Sequence, residues 1–229
     1  LATDGAALFV TNGIPWWWNY GGSNGPLPLL DPDGRLWREL GPERALGGVV
    51  FSTNEVVEPG VVLHRARNRW RIGEPGGGAT PRLETVLSTL ATTKLRIEHA
   101  ADIRRAVWEK LVLNVAVSGP AALTRLQTAQ IVDDLPLRRV VVRLVEETIA
   151  IALALGWDLR DVVAPDAVAR ELESPGVTPS MLQDVLLGRA PEVEAIVGQV
   201  HAFGVDAGVA TPTLDVLVPL LRGLSRSRA

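Results

Sequence analysis

Hydrophobic positions follow two different spacings along this chain, and the change falls near residue 100. Before it, short apolar runs rich in β-branched residues lie between turn residues, a pattern that predicts strands joined by loops. These runs cover 6–11, 46–52 and 61–72. One helix is predicted over 81–93, where leucine and valine recur at helical spacing. Residues 1–100 are therefore predicted to form a mixed α/β domain.

After residue 100 the apolar positions recur at the spacing typical of helices that bury one face. The predicted helices span 103–117, 135–155, 164–172, 181–187, 192–204 and 213–224. Residues 101–229 are thus predicted to form an all-helical domain. The predicted fold class is α/β followed by all-α.

Composition and charge exclude several functions. With 229 residues and 47% hydrophobic content, the chain can form substantial cores. A formal charge of -3 and a pI near 5.7 provide no basic surface, so no nucleic-acid partner is expected. The absence of cysteine fits a reducing compartment and predicts a cytoplasmic protein. The longest charge-free apolar run, 149–157, is far below the ~20 residues of a membrane-spanning helix.

Lys110, Asn114 and Ser118 place polar groups inside an otherwise apolar predicted helix. Residues four apart drift only ~40° around a helix, so the three side chains project from one face. Buried polar groups cost free energy unless something polar meets them, which points to a ligand. The alternative is structural: Lys110 extends to solvent and Asn114 bonds a neighbouring backbone.

Ser180 and Glu192 flank a predicted turn at Gly188, and each has a structural interpretation. Ser180 and Gln183 have the spacing of a capping box, and an acid in the first turn of a helix, as Glu192 would be, favours the helix dipole. Gly188 suits the end of the first helix, and Pro191 suits the first turn of the second. However, two helix N-termini beside one turn also direct amides toward an anion, so a ligand that carries a carboxylate would fit.

Asn12 and Gly13 follow the first predicted strand directly, where open α/β sheets present residues that contact ligands. A simple turn explains them equally well. The run Trp16 to Trp18 indicates a core or a dimer surface more readily than a wall of a ligand site.

Two further groups of residues carry less weight. Alternating arginines at 65, 67, 69 and 71 predict one solvated strand face, with phosphate binding as the sharper alternative. The three histidines show no ligand spacing, so no metal site is expected.

Four segments, taken in order, resemble the ketopantoate reductase family: 11–16, 49–60, 108–114 and 179–192. The last is the most specific and reads Ser180-Met181-Leu182-Gln183-Asp184, followed by Gly188-Arg189 and Glu192. The resemblance implies an N-terminal Rossmann domain, a helical C-terminal domain and a substrate held between them. It also implies that NADPH reduces a 2-keto acid to the 2-hydroxy acid and that no metal is required. An all-helical second domain with exposed apolar stripes is compatible with a homodimer.

The resemblance also implies roles for individual residues. Lys110 acts on the carbonyl oxygen and supplies its proton, and a lysine near its free pKa of about 10.4 is charged at neutral pH. Asn12 resembles the asparagine that touches both substrate and nicotinamide, and Asn114 a substrate-binding asparagine. Ser180 resembles the serine that holds the substrate carboxylate, and Glu192 the acid that bonds the substrate hydroxyl. Some relatives have a second asparagine at the position of Ser118, which links this residue to the choice of substrate.

The glycine-rich fingerprint of dinucleotide-binding domains, Gly-x-Gly-x-x-Gly after a strand, does not occur in the sequence. In the family it should precede Leu1, so residues 1–100 are expected to be the C-terminal part of a Rossmann-like domain. On this basis the full-length protein is the enzyme, and the 229 residues alone are expected to bind NADPH poorly and to be inactive. Two alternatives stay open: a non-catalytic helical association module, and a reductase of another keto acid that Trp16 to Trp18 accommodate.

Overall fold

The computed structural model describes residues 5–160 and 178–227, apart from the side chains at 53, 55, 65 and 66. The chain divides into two compact units, Leu1–Val107 and Trp108–Ala229. The predicted helix at 164–172 lies outside the described residues. Within the described helices, none is long and apolar enough to cross a membrane.

The first unit contains a four-stranded mixed sheet in the order β1-β2-β3-β4. The outer strands run parallel to their neighbours and the central pair is antiparallel. The elements are β1 (Ala7–Val10), α1 (Arg35–Glu39), a 3-10 turn (Pro42–Arg44), β2 (Ala45–Glu58), β3 (Val61–Gly73), α2 (Pro81–Ala91) and β4 (Arg96–His99). The helix α2 packs on the sheet through Leu83, which forms a buried core with Leu46 and Ile72.

The strands β2 and β3 form a hairpin that is longer than the sequence pattern predicts. Only its inner half is flanked by other strands, since β1 pairs with the start of β2 and β4 with the end of β3. The alternation of arginines along β3 is broken, because Arg67 adopts a positive φ of 58° beside a register shift. The prediction that four arginines share one face is therefore wrong at Arg67, and the side chain of Arg65 lies outside the described residues. Arg69 and Arg71 do share a face, where both pair with Glu98.

The three consecutive tryptophans lie in the interior of the first unit. Trp16, Trp17 and Trp18 are 6%, 1% and 6% exposed. Trp16 packs edge to face on Phe9, with ring centroids 5.3 Å apart. Trp17 occupies the space that a side chain at Gly47 would need, since a Cβ there would come within 2.6 Å of its ring. The core interpretation holds, and the idea that these rings accommodate an aromatic substrate loses its basis.

The second unit is helical wherever it is described. Its elements are α3 (Ile103–Thr124, which begins in the first unit), α4 (Thr128–Asp133), α5 (Leu135–Ala154), α6 (Ser180–Leu186), a π-helical turn (Glu194–Gly198), α7 (Gln199–Asp206) and α8 (Pro212–Arg226). The predicted mixed domain followed by a helical one is confirmed as a fold class.

One helix extends beyond its predicted end. The spacing of apolar residues predicts a helix that ends at 117, shortly before Gly119 and Pro120. It continues to Thr124, and Gly119 becomes a packing position. A Cβ there would lie 2.8 Å from Leu217 and 3.1 Å from Leu221. The missing side chain therefore allows α8 to approach α3 closely.

Glu147 connects two helices of the second unit. This buried residue of α5 accepts the backbone N–H groups of Thr213 at 2.8 Å and Leu214 at 3.0 Å. Those N–H groups belong to the first turn of α8, where backbone donors have no partner within their own helix. The carboxylate thus caps α8 from a neighbouring helix.

Candidate functional site

Lys110, Asn114 and Ser118 lie on one continuous stretch of α3, as the four-residue spacing requires for a common face. Their surroundings are apolar, since Leu111, Val112 and Val115 are all buried. Lys110 and Asn114 are half-buried, and Ser118 is 3% exposed.

The ammonium group of Lys110 is held in surroundings that disfavour its charge. Burial lowers its pKa to about 8, and the carboxylate of Glu192 partly opposes this shift. The expectation that Lys110 keeps the pKa of a free lysine is therefore wrong, because its aliphatic stem and head group are packed rather than solvated. At pH 7 the ammonium is still mostly protonated, and a modest rise in pH removes its proton.

Glu192 is exposed and lies between the buried Pro191 and Val193. The sequence predicts it as the first residue of a helix, but the regular hydrogen bonding begins later. Val193 N–H bonds Pro191, and the backbone N–H of Gln199 bonds the carbonyl of Glu194, which is the i to i+5 pattern of a π-helix. Glu192 therefore sits just outside the helix, in reach of Lys110.

A second carboxylate lies two residues further on. Glu194 accepts two hydrogen bonds from Arg222 of α8, from Nε and Nη2, each at 2.7 Å. Its carboxylate lies over Gly198, where a Cβ would come within 2.2 Å of Oε2. The hydrogen bond to Glu194 raises the pKa of Arg222. No periodicity in the sequence points to this arrangement, because a π turn breaks the helical spacing.

Ser180 is exposed and forms the first residue of α6. The capping-box prediction is wrong, because the N–H of Gln183 bonds the carbonyl of Pro179, which makes Pro179 the cap. Gln183 uses its side chain to donate to Thr178 at 2.9 Å. The predicted end of this helix is confirmed, since Gly188 has a φ of 72° and Arg189 N–H bonds Asp184. The Ser180 hydroxyl thus makes no cap bond.

Asn12 belongs to the first unit and follows the carboxyl end of β1, where it is half-buried. Gly13 has a φ of 79°, so the chain turns sharply after it into a buried segment. Arg104 holds this segment by donating to the carbonyls of Trp18 at 2.9 Å and Tyr20, and it also donates to Pro75 at 2.5 Å. The loop that carries Asn12 is therefore fixed on both sides.

Histidines and acids make one contact that the sequence spacing did not indicate. His201 of α7 and Asp215 of α8 lie 2.7 Å apart, and Thr211 also donates to Asp215. Within residues 5–160 and 178–227, no group of three metal-binding side chains comes together.

Comparisons with known proteins agree on one family. Residues 102–225 match the family model "Ketopantoate reductase PanE/ApbA C terminal". The chain is 34% identical over 237 aligned residues to the 2-dehydropantoate 2-reductase of Mesorhizobium japonicum, covering 100% of the chain and 71% of that protein. It is 31% identical to the enzyme of the same name from Halobacterium salinarum, covering 72% of the chain and 54% of that protein.

A solved structure gives the same result. The crystal structure of a candidate ketopantoate reductase from Ralstonia solanacearum is 30% identical and superimposes with a TM-score of 0.88. The match covers 97% of the chain and 69% of that structure.

Proposed function

The chain belongs to the ketopantoate reductase family, and from this premise we propose that its full-length protein reduces a 2-keto acid of the ketopantoate type to the 2-hydroxy acid with NADPH. The observation that carries the proposal is the pair formed by Lys110 and Glu192. A half-buried ammonium with a pKa near 8, within electrostatic reach of a carboxylate, is suited to donate a proton near neutral pH.

The cofactor site is supported at its nicotinamide end. Asn12 follows the carboxyl end of a strand that is parallel to its neighbour, which is where α/β sheets bind dinucleotides. The Asn12 amide would contact the nicotinamide, and Gly13 lets the backbone turn away to leave room for it. NADPH, when bound, supplies the hydride.

Lys110 carries the central step. Its ammonium donates a hydrogen bond to the ketone oxygen, and the negative charge that develops there during reduction is stabilised by this fixed cation. The same group then gives its proton to that oxygen, so that the hydroxyl of the product forms. A pKa near 8 suits this step better than the higher pKa of a free lysine, because the ammonium keeps its proton at pH 7 but releases it more easily.

Glu192 accepts a hydrogen bond from the substrate hydroxyl and keeps Lys110 protonated through its charge. Asn114, one turn beyond Lys110, binds the substrate with its amide. Ser180 donates its hydroxyl to the substrate carboxylate, a role compatible with its exposed position at the start of α6. Ser118 lies a further turn along α3 and contributes to the choice among keto acids.

The test is an assay of the full-length protein with NADPH and a panel of 2-keto acids that includes ketopantoate. The reaction is monitored through the loss of NADPH absorbance. NADH in place of NADPH examines the cofactor preference. We expect turnover of ketopantoate that Lys110→Ala abolishes without loss of NADPH binding. A folded protein that binds NADPH but reduces no member of the panel would instead be a non-catalytic association module.

A further inference from the structure

The π-helical turn Glu194–Gly198 stands directly after the proposed catalytic carboxylate Glu192. Such turns are rare, since one extra residue is inserted into the helical hydrogen-bond pattern, and they concentrate at functional sites. Each residue of an α-helix turns the chain by about 100°. If this turn relaxed to α-helix, the chain upstream would therefore rotate by about that angle relative to α7.

Glu194, the first residue of the turn, makes two close contacts. The first is the double hydrogen bond between Glu194 and Arg222, which ties the turn to α8 in a fork that only a guanidinium can make. The second is the close contact between the Glu194 carboxylate and Gly198, which leaves no space for a side chain at position 198. Ile196 and Val197 are buried inside the turn and provide no polar contact. The ion pair is thus the directional restraint on this segment.

On this basis we infer that Glu194 and Arg222 are positioning residues, which hold the π-helical turn so that Glu192 faces Lys110. The inference rests on the proposed function, because it concerns the geometry of that same site. It assigns a task to a side-chain pair outside the residues proposed to bind substrate and cofactor. Substituting Arg222 should therefore alter the site through Glu192.

The two lysines of the chain make a direct test available. Lys94 and Lys110 are the two lysines of these 229 residues, and in full-length protein labelled with ¹³Cε-lysine the signals that disappear in Lys94→Arg and Lys110→Arg assign them. The titration of each signal by nuclear magnetic resonance measures the pKa of Lys110 without any need for activity. Lys94 is exposed and reports unspecific changes.

We expect Arg222→Met to lower the pKa of Lys110, as Glu192→Gln does, because the carboxylate that raises it moves away. Loss of a positive charge at 222 would by itself have the opposite effect, so the sign separates displacement from simple electrostatics. Arg222→Lys keeps the charge but loses the fork; it adds one lysine signal, which comparison with the wild-type spectrum identifies, and it should shift the pKa of Lys110 in the same direction as Arg222→Met. In the double variant with Glu192→Gln, substitution of Arg222 should cause no further fall.

The matched control is Asp215→Ala, which removes the contact between His201 and Asp215. That contact also joins α7 to α8 but involves no residue of the turn. This control should leave the titration of Lys110 unchanged. The Arg222 variants should, in addition to shifting that titration, lower kcat/KM by about 10- to 100-fold, the usual cost of a misplaced catalytic group. An unchanged Lys110 titration in folded Arg222→Met and Arg222→Lys would overturn the inference. A wild-type protein without reductase activity would instead overturn the proposed function, since the titration does not depend on turnover.

Discussion

Burial lowers the pKa of Lys110 to about 8, and the carboxylate of Glu192 acts against that shift. The proposed proton donor is therefore set by two opposing influences within one helical unit. Both influences can be altered by substitution.

The pH dependence of turnover should follow the protonated form of Lys110. Because the ammonium is the active form and its pKa is about 8, kcat/KM should be constant near pH 7 and fall as the pH rises through about 8. Measuring kcat/KM over a series of pH values with saturating NADPH tests this fall. A profile that stays flat to about pH 10, near the pKa of a free lysine, would contradict the role assigned to Lys110.

Lys110→Met should raise the stability of the protein while removing activity. The folded state lowers the pKa of Lys110, so the unfolded chain binds the proton more tightly. The resulting penalty is present in full below pH 8 and disappears as the pH approaches the unfolded value of 10.5. Thermal unfolding at pH 7 should therefore give a higher Tm for the variant, and the difference should shrink at pH 10. Equal stabilities at pH 7 would argue against a buried charge.

Glu147→Ala should destabilise the helical unit by about 2–3 kcal/mol, because two N–H groups at the start of α8 lose a charged acceptor. Glu147→Gln retains one acceptor oxygen and should cost about half as much. Denaturant unfolding curves measure both values. Glu146→Ala is the control, since Glu146 is the exposed neighbour on the same helix. If Glu146→Ala lost as much stability as Glu147→Ala, the capping role of Glu147 would be contradicted.

Gly119→Ala should cost about 1–3 kcal/mol, because the new methyl group would press on Leu217 and Leu221 of α8. Gly223→Ala is the matched control in α8 itself, where a Cβ meets nothing within 4 Å. The free energy of unfolding of that variant should rise by about 0.5–1 kcal/mol, because alanine has the higher helix propensity and reduces the freedom of the unfolded chain. Opposite signs for the two glycines are expected in the same unfolding assay.

The fold class followed from hydrophobic spacing because the long helices bury one continuous face. For α5 and α8 the predicted bounds differ from the observed ones by a few residues. The short elements did not follow, since α4 and β4 depend on tertiary contacts rather than on a long periodic pattern. The predicted end of α3 at 117 was too early, since α3 continues through Gly119 and Pro120 despite their low helix propensity, and Gly119 packs against α8.

The candidate site was open to sequence reasoning only in part. The spacing of Lys110, Asn114 and Ser118 indicates a shared helical face, but spacing cannot show how far burial lowers a pKa. The contact between Glu194 and Arg222 joins distant segments through a π turn, and no local pattern encodes it. At Ser180 a local pattern was present but misleading. Ser180 and Gln183 have the spacing of a capping box, yet Pro179 is the N-cap in the structure.

The outer half of the β2–β3 hairpin has a consequence for handling the protein. Its valines are exposed, with Val56 70% and Val62 60% accessible. In the part of the chain that the structure describes, neither edge of this two-stranded ribbon pairs with a further strand. Open edges of this kind recruit further strands and promote precipitation at high concentration. The kink at Arg67 twists the ribbon and places a charged residue on it, which works against such stacking. Replacing that arginine with a β-branched apolar residue would therefore be expected to reduce solubility well before it alters catalysis.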